Sequence, residues 1–341
     1  MAQQKEYAAV DVFKLICACL VILIHTKPFE NSFWLDSIIG MLTRFAVPYF
    51  FTISGYFLFQ RITVSEPRNK DKIIWDYLLR LIRFYVIWFV ILRIFDYVLS
   101  GQSHSVRYYI KQFFFTTDGS ALWFVEALIW ATLIATFLSR WLNPLFITVI
   151  GVICLLVGYC FSTLLGITSQ WRMVVFFKPF FDYIGIQGGI FFAFPYVAIG
   201  AFLSNKTLVP SIRRDVLLTS LFFLCLGIES IIMVIKLQAP FTFLWLSAAP
   251  MLWFTTRITL TIVIEEKPIY YIFRKISILC FVLHVPVFKL LQLWLIEKEI
   301  AKFDTFNLVL TGLTIATTIS VAYVLLILSR NRKFLWLKYL M

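Results

Sequence analysis

Ten runs of apolar residues, each about as long as a bilayer is thick and joined by short polar connections, restrict this chain to one kind of fold. They lie near residues 10–26, 39–60, 73–99, 121–139, 144–164, 183–203, 214–236, 241–262, 270–296 and 306–329. A hydrocarbon core of about 30 Å takes about 20 helical residues to cross, and every backbone polar group inside it must be satisfied internally. The expected fold is therefore all-α, a polytopic membrane helix bundle of about ten transmembrane helices. Composition agrees: 61% of the 341 residues are hydrophobic and 14% charged, too little polar surface for a soluble globule. No stretch between the runs is long enough to bury a core of its own, so residues 1–341 read as a single integral membrane domain.

Charge gives the bundle a direction. The net charge of +13 concentrates beside the apolar runs, at 61–72 (Arg61, Arg68, Lys70, Lys72), 204–214 (Lys206, Arg213, Arg214), 267–275 (Lys267, Arg274, Lys275) and the tail from Arg330 to Lys338. With ten spans all four clusters fall on one side, which the positive-inside rule makes cytoplasmic together with both termini. The basic residues thus set orientation in a lipid bilayer, and nucleic acid is not an expected partner. The first run carries Asp11 and Lys14 and lacks a small-residue cleavage site, so it is expected to stay as a spanning helix. The opposite loops near 100–120 and 165–182 are long and aromatic, as interfacial segments are. All six cysteines fall inside apolar runs without a CxxC pair and read as small core residues.

Ionisable residues at membrane depth point to function by default. Lys14 and His25 are eleven residues apart in the first run, DVFKLICACLVILIH, a separation that returns both side chains to nearly the same helix face. His25 lies about 16 Å further along the axis. In the third run Arg80 and Arg83 are neighbours on one face, and paired guanidiniums suit phosphate groups. Glu126, about two turns into the fourth run, reaches a depth near that of His25, where a carboxylate can orient an imidazole. Trp123 shares its face and would wall an acceptor pocket.

These residues in this order resemble the acyltransferase 3 family of integral membrane acyltransferases. The family pattern places ten residues between a Lys or Arg and a His in the first helix, met by Lys14 and His25, and Arg-x-x-Arg in the third, met by Arg80 and Arg83. AVPYFFTISGYFLF at 46–59, with Ser54 and Gly55 in the SG step, LWFVEAL at 122–128 and ILCFVLHVPVF at 278–288 are similar too. The resemblance covers nearly the whole chain. It implies an enzyme of the plasma membrane that moves an acyl group, commonly acetyl, from cytoplasmic acyl-CoA, a co-substrate rather than a bound cofactor, to a hydroxyl of an extracytoplasmic or lipid-linked glycan. Lys14, Arg80 and Arg83 would hold the donor's phosphates. His25 would serve either as general base or as carrier of the acyl group.

Plainer readings stand beside these. Lys14 can snorkel to headgroups, His25 can sit at the interface without chemistry, and Arg80 and Arg83 can be positive-inside anchors. His284, mid-helix in the ninth run, is either a second catalytic or cavity group or a hydrogen-bonded core residue. Ser54 reads first as a small packing residue, His104 as exposed, and Arg93 with Asp96 as a structural pair. Arg257 and Glu229 either line the cavity or pair with each other. GxGxxG, P-loop and HExxH signatures are lacking, and no metal cluster is evident in the sequence. The opening stretch is also similar to the membrane domains of serine racemases of glycopeptide resistance, which are associated with serine uptake. That resemblance implies an alternative, a small-molecule carrier.

Overall fold

The computed structural model describes residues 7–115, 121–164, 171–184, 188–205, 211–237, 244–299 and 305–341. Among the described residues the protein is all-α, with 84% of them helical. The helices are α1 (Ala8–Thr26), α2 (Phe33–Thr43), α3 (Ala46–Val64), α4 (Pro67–Ser100), α5 (Val106–Phe114), α6 (Trp123–Leu138) and α7 (Pro144–Phe161). There follow α8 (Arg172–Ile184), a π-helical turn (Gly189–Ala193), α9 (Phe194–Ser204), α10 (Ile212–Leu237), α11 (Ala248–Thr261), α12 (Pro268–Glu297), α13 (Phe306–Leu328) and a terminal 3₁₀ helix (Arg332–Leu340).

Each of the ten apolar runs holds a helix, and six described segments are long and apolar enough to cross a membrane: Ala8–Thr26, Trp34–Val64, Pro144–Phe161, Ile212–Met233, Pro268–Glu297 and Phe306–Leu328. The others depart for visible reasons. α4 has the length, 34 residues, but carries Arg80, Arg83, Arg93 and Asp96. α6, α9 and α11 are shorter, at 16, 11 and 14 residues. The loops expected near 100–120 and 165–182 contribute α5 and α8; residues 116–120 and 165–170 lie outside the described set.

Local chemistry sets the ends. α1 stops where Lys27 turns left-handed (φ 43°), its N–H bonded to the carbonyl of Leu23; Pro28 follows and cannot continue the helix. α4 opens with Pro67 in its first turn and closes on Gly101 (φ 67°), whose N–H returns to Tyr97.

The core sits where α3 crosses α9. A side chain on Gly200 would run into the backbone of Thr52 and Tyr56, and one on Gly55 into the carbonyl of Val197, so two glycines let these backbones touch. The packing role expected of Ser54 belongs to Gly55. Outward surfaces are apolar: Leu217, Leu221, Leu224, Ile228 and Ile231 make an exposed stripe on α10, as a lipid-facing helix requires. Inside, threonine hydroxyls donate to carbonyls one turn back, Thr52 to Pro48 at 3.0 Å and Thr314 to Leu310 at 2.7 Å. Others tie helices together, Tyr49 to Thr259 at 2.9 Å and Thr311 to Thr26 at 2.7 Å.

Arg257 and Glu229 do not pair. Arg257 Nε donates to Asp215 at 2.9 Å, joining α11 to α10. Glu229 accepts the backbone N–H groups of Leu246 at 2.9 Å and Ser247 at 3.0 Å. The chain ahead of α11 is not helical, so its amides need acceptors, and a carboxylate on α10 supplies them.

Gly200→Ala is expected to destabilise the bundle by about 1–3 kcal/mol through overpacking, read as a lower thermal midpoint in detergent. Gly312→Ala, where a methyl group meets nothing within 4 Å, should leave the midpoint unchanged or slightly higher, since Ala exceeds Gly in helix propensity.

Candidate functional site

A cavity of about 890 Å³ opens at the end of the bundle where α1 and α12 begin. Lys14, Arg80, Arg83 and Ser54, four of the residues singled out in the sequence, line it. So do Arg61, Arg274, Lys275 and Lys338, which sequence position alone assigned to basic loops. Among the described residues seven basic side chains face this space against one carboxylate, Asp11. Tyr7 and Met341 share the wall, so both ends of the described chain meet at one end of the bundle.

The wall is built from several elements. Asp11, buried in the first turn of α1, receives a two-pronged contact from Arg274 on α12: Nε to Oδ1 at 2.9 Å and Nη2 to Oδ2 at 2.7 Å. This fork offsets the cost of a carboxylate at depth and fixes α1 against α12. One turn on, the ammonium of Lys14 stands 5.5 Å over the ring of Phe57 on α3, an aromatic contact that steadies a cation while leaving its N–H groups for a ligand. Arg80 stacks on Tyr77 at 5.4 Å and Arg83 on Tyr339 at 5.3 Å. Both guanidiniums are solvent-exposed at the mouth. Tyr339 is held there because the 3₁₀ helix folds back: Leu337 and Leu340 are buried, and the indole N–H of Trp88 donates to the Leu340 carbonyl at 3.1 Å. Ser54 on α3 faces Tyr77 across the same space.

His25 is not among the residues lining this cavity. Phe50 and Phe124, which do line it, pack on Phe281 with centroids 5.1 and 4.4 Å apart. Beyond that aromatic layer Phe281 meets His284 edge-on at 6.5 Å, and His284 meets His25 at 4.9 Å. The group set against the His25 ring is therefore the imidazole of His284. Glu126 is buried in the first turn of α6. Trp123 is half-buried against Phe51 and Phe192 at 6.5 and 5.8 Å and does not line the cavity.

The remaining sequence readings are placed as follows. His104 is exposed and stacks on Tyr108 at 4.2 Å. Arg93 and Asp96 pair at 3.9 Å along α4, and Asp96 also takes Lys289 of α12 at 2.8 Å. The six cysteines are unpaired with one another.

A helical membrane bundle with a cationic cavity at one end and two imidazoles in contact deeper along the same helices defines the class. The acyltransferase domain matches residues 7–327, and the chain belongs to the acyltransferase 3 family. Among curated proteins it is 29% identical to an amino-acid racemase of Enterococcus faecalis over 235 residues, 65% of this chain and 33% of that protein. It is 25% identical to a serine/alanine racemase of Enterococcus gallinarum, over 63% of this chain and 31% of that protein. The chain spans about a third of the length of these relatives. No solved structure matches.

Asp11→Ala is expected to lower stability, by less than the about 3–5 kcal/mol typical of breaking a fully buried pair, because the Arg274 side chain is 36% exposed. Thermal midpoints of Asp11→Ala, Arg274→Ala and the double variant check this: the two losses should overlap rather than add.

Proposed function

We propose that this protein is a multi-pass enzyme of the plasma membrane that takes an acyl group, acetyl in the simplest case, from cytoplasmic acyl-CoA. It delivers that group to a hydroxyl of an extracytoplasmic or lipid-linked glycan of the cell envelope. The observation that carries this reading is the cavity charge: seven cations around one carboxylate favour a ligand bearing several phosphates. Arg80 and Arg83 present guanidinium forks at the mouth, matched to phosphate oxygens. Lys14 lies deeper, and the tyrosine and phenylalanine rings between them suit a ligand that is part nucleotide and part chain.

The acyl end of such a donor points along α1 toward His25. As the acceptor oxygen bonds to the acyl carbon, the carbon–sulfur bond breaks. The hydroxyl proton passes to His25 and then to the departing thiolate, so the products are an ester and free CoA thiol. His25 acts as base in this scheme; if it carries the acyl group, the same atoms move in two steps. Glu126, buried on α6, is assigned the role of supporting an imidazolium. Trp123, held on Phe51 and Phe192, is assigned to the supporting wall of the acceptor side.

One observation favours a second reading. The relatives above are amino-acid racemases, and similarity to a third of their length favours a chain that handles an amino acid, as a serine carrier. "Serine" needs one carboxylate partner, whereas seven cations exceed that requirement, so the acyltransfer reading ranks first.

Purified protein in proteoliposomes made with cell-envelope glycolipid extract, given acetyl-CoA labelled in the acetyl group, should release CoA thiol and pass the label to the extract. Turnover should vanish in His25→Ala. Arg80→Ala and Arg83→Ala should each raise the donor KM about tenfold with kcat little changed, the loss of one charge-assisted contact of about 1.5–3 kcal/mol. Tyr339→Ala should raise it less. Serine accumulation without acetyl-CoA turnover would favour the carrier.

A further inference from the structure

The two imidazoles that meet between α1 and α12 carry this inference, which rests on the acyltransfer reading. His284 is 1% exposed. Its Nδ1 lies 2.9 Å from the carbonyl oxygen of Cys280, and a carbonyl only accepts, so Nδ1 carries the proton. The tautomer is thereby set, and Nε2 is left as a bare lone pair. That atom is buried and makes no hydrogen bond among the described residues. An unmatched buried acceptor costs about 1–3 kcal/mol, and Phe281, edge-on at 6.5 Å, offers it no polar partner.

The His25 ring stands closer, at 4.9 Å between centroids and tilted by 51°. At that spacing two imidazoles reach one hydrogen bond when their nitrogens face each other. His25 is only half-buried, and its ring N–H is the donor that this lone pair lacks.

We propose that His284 is a positioning residue for His25: its Nε2 accepts the ring N–H of His25, so that the other nitrogen of His25 faces the acceptor hydroxyl as the free base. No proton is transferred between the rings. His284 acts by fixing one tautomer and one orientation of its neighbour, as the orienting member of a catalytic triad does.

His284→Leu removes the acceptor at similar bulk, and His284→Gln keeps an acceptor oxygen. His284→Leu is expected to lower kcat about 100-fold, the lower range of what a positioned base contributes, with the donor KM unchanged. Its thermal midpoint should stay close to that of the unsubstituted protein, since apolar bulk replaces the side-chain hydrogen bonds that are lost. His284→Gln should recover at least about tenfold of the lost kcat. Wild-type kcat in His284→Leu, or equal impairment in the Leu and Gln variants, would overturn the proposal.

Should either variant fold poorly, ¹⁵N-histidine NMR of the unsubstituted protein gives an independent reading. One fixed tautomer for His25, beside an Nδ1-protonated His284, supports the pairing, and a His25 ring averaging between tautomers rejects it. His25→Ala separates the two levels of argument. If that variant turns over normally, the acyltransfer reading through His25 falls. If it is inactive while His284→Leu is not, only the pairing falls.

Discussion

The fork between Arg274 and Asp11 is the interaction on which the placement of the whole site depends. Lipid offers no hydrogen bonds, so a carboxylate in the first turn of a membrane helix must find its partner within the bundle. Asp11 finds it on α12, with a planar guanidinium gripping both carboxylate oxygens. α1 and α12 both begin at the cavity end, and locking the first turn of α1 to the second turn of α12 sets their register. With that register fixed, residues further along meet as well: His25 on α1 reaches His284 on α12. One ion pair thus serves both ends of the site, trimming the net charge of the cavity and aligning the imidazoles beyond it.

A second constraint is where the backbone leaves the helix. Leu244–Ser247 precede α11 outside the helix, and Glu229 takes up two of their amides. Irregular backbone at membrane depth is tolerated where protein encloses it. On the other side of the core, Gly55 and Gly200 bring α3 and α9 to backbone contact. That close crossing keeps the SG step of α3 rigid, so the neighbouring Ser54 is presented to the cavity rather than spent on packing.

How far the sequence could be read follows from these details. The helices were legible because apolar runs of bilayer length admit little else. Lys14, Arg80 and Arg83 were legible because a charge inside such a run demands a reason. Arg274, Lys275 and Lys338 were not, since a cation beside an apolar run has the same appearance whether it faces water or bends back over a cavity. Tyr339 joins the mouth only because the chain folds back onto Trp88. The contact of His25 with His284 needed the relative direction and register of two helices far apart in sequence. Glu229 and Arg257 misled because opposite charges invite pairing, whereas unwound amides competed for the one and Asp215 for the other.

The separation between the cationic cavity and the imidazoles has a chemical logic of its own. A thioester exposed to water beside a histidine base would be hydrolysed, and the acyl group lost before an acceptor arrived. Phe50, Phe124 and Phe281 form a continuous aromatic layer between the two compartments. Such a layer separates His25 from the water of the cationic cavity, and polar contacts against it are strengthened because the local dielectric is low. On the proposed reading it would also divide the recognition problem, with phosphates held at the cationic mouth and proton transfer at His25. An acyl chain would then have to part these rings to reach His25, so their packing, more than the charge of the mouth, would set the size of acyl group that passes.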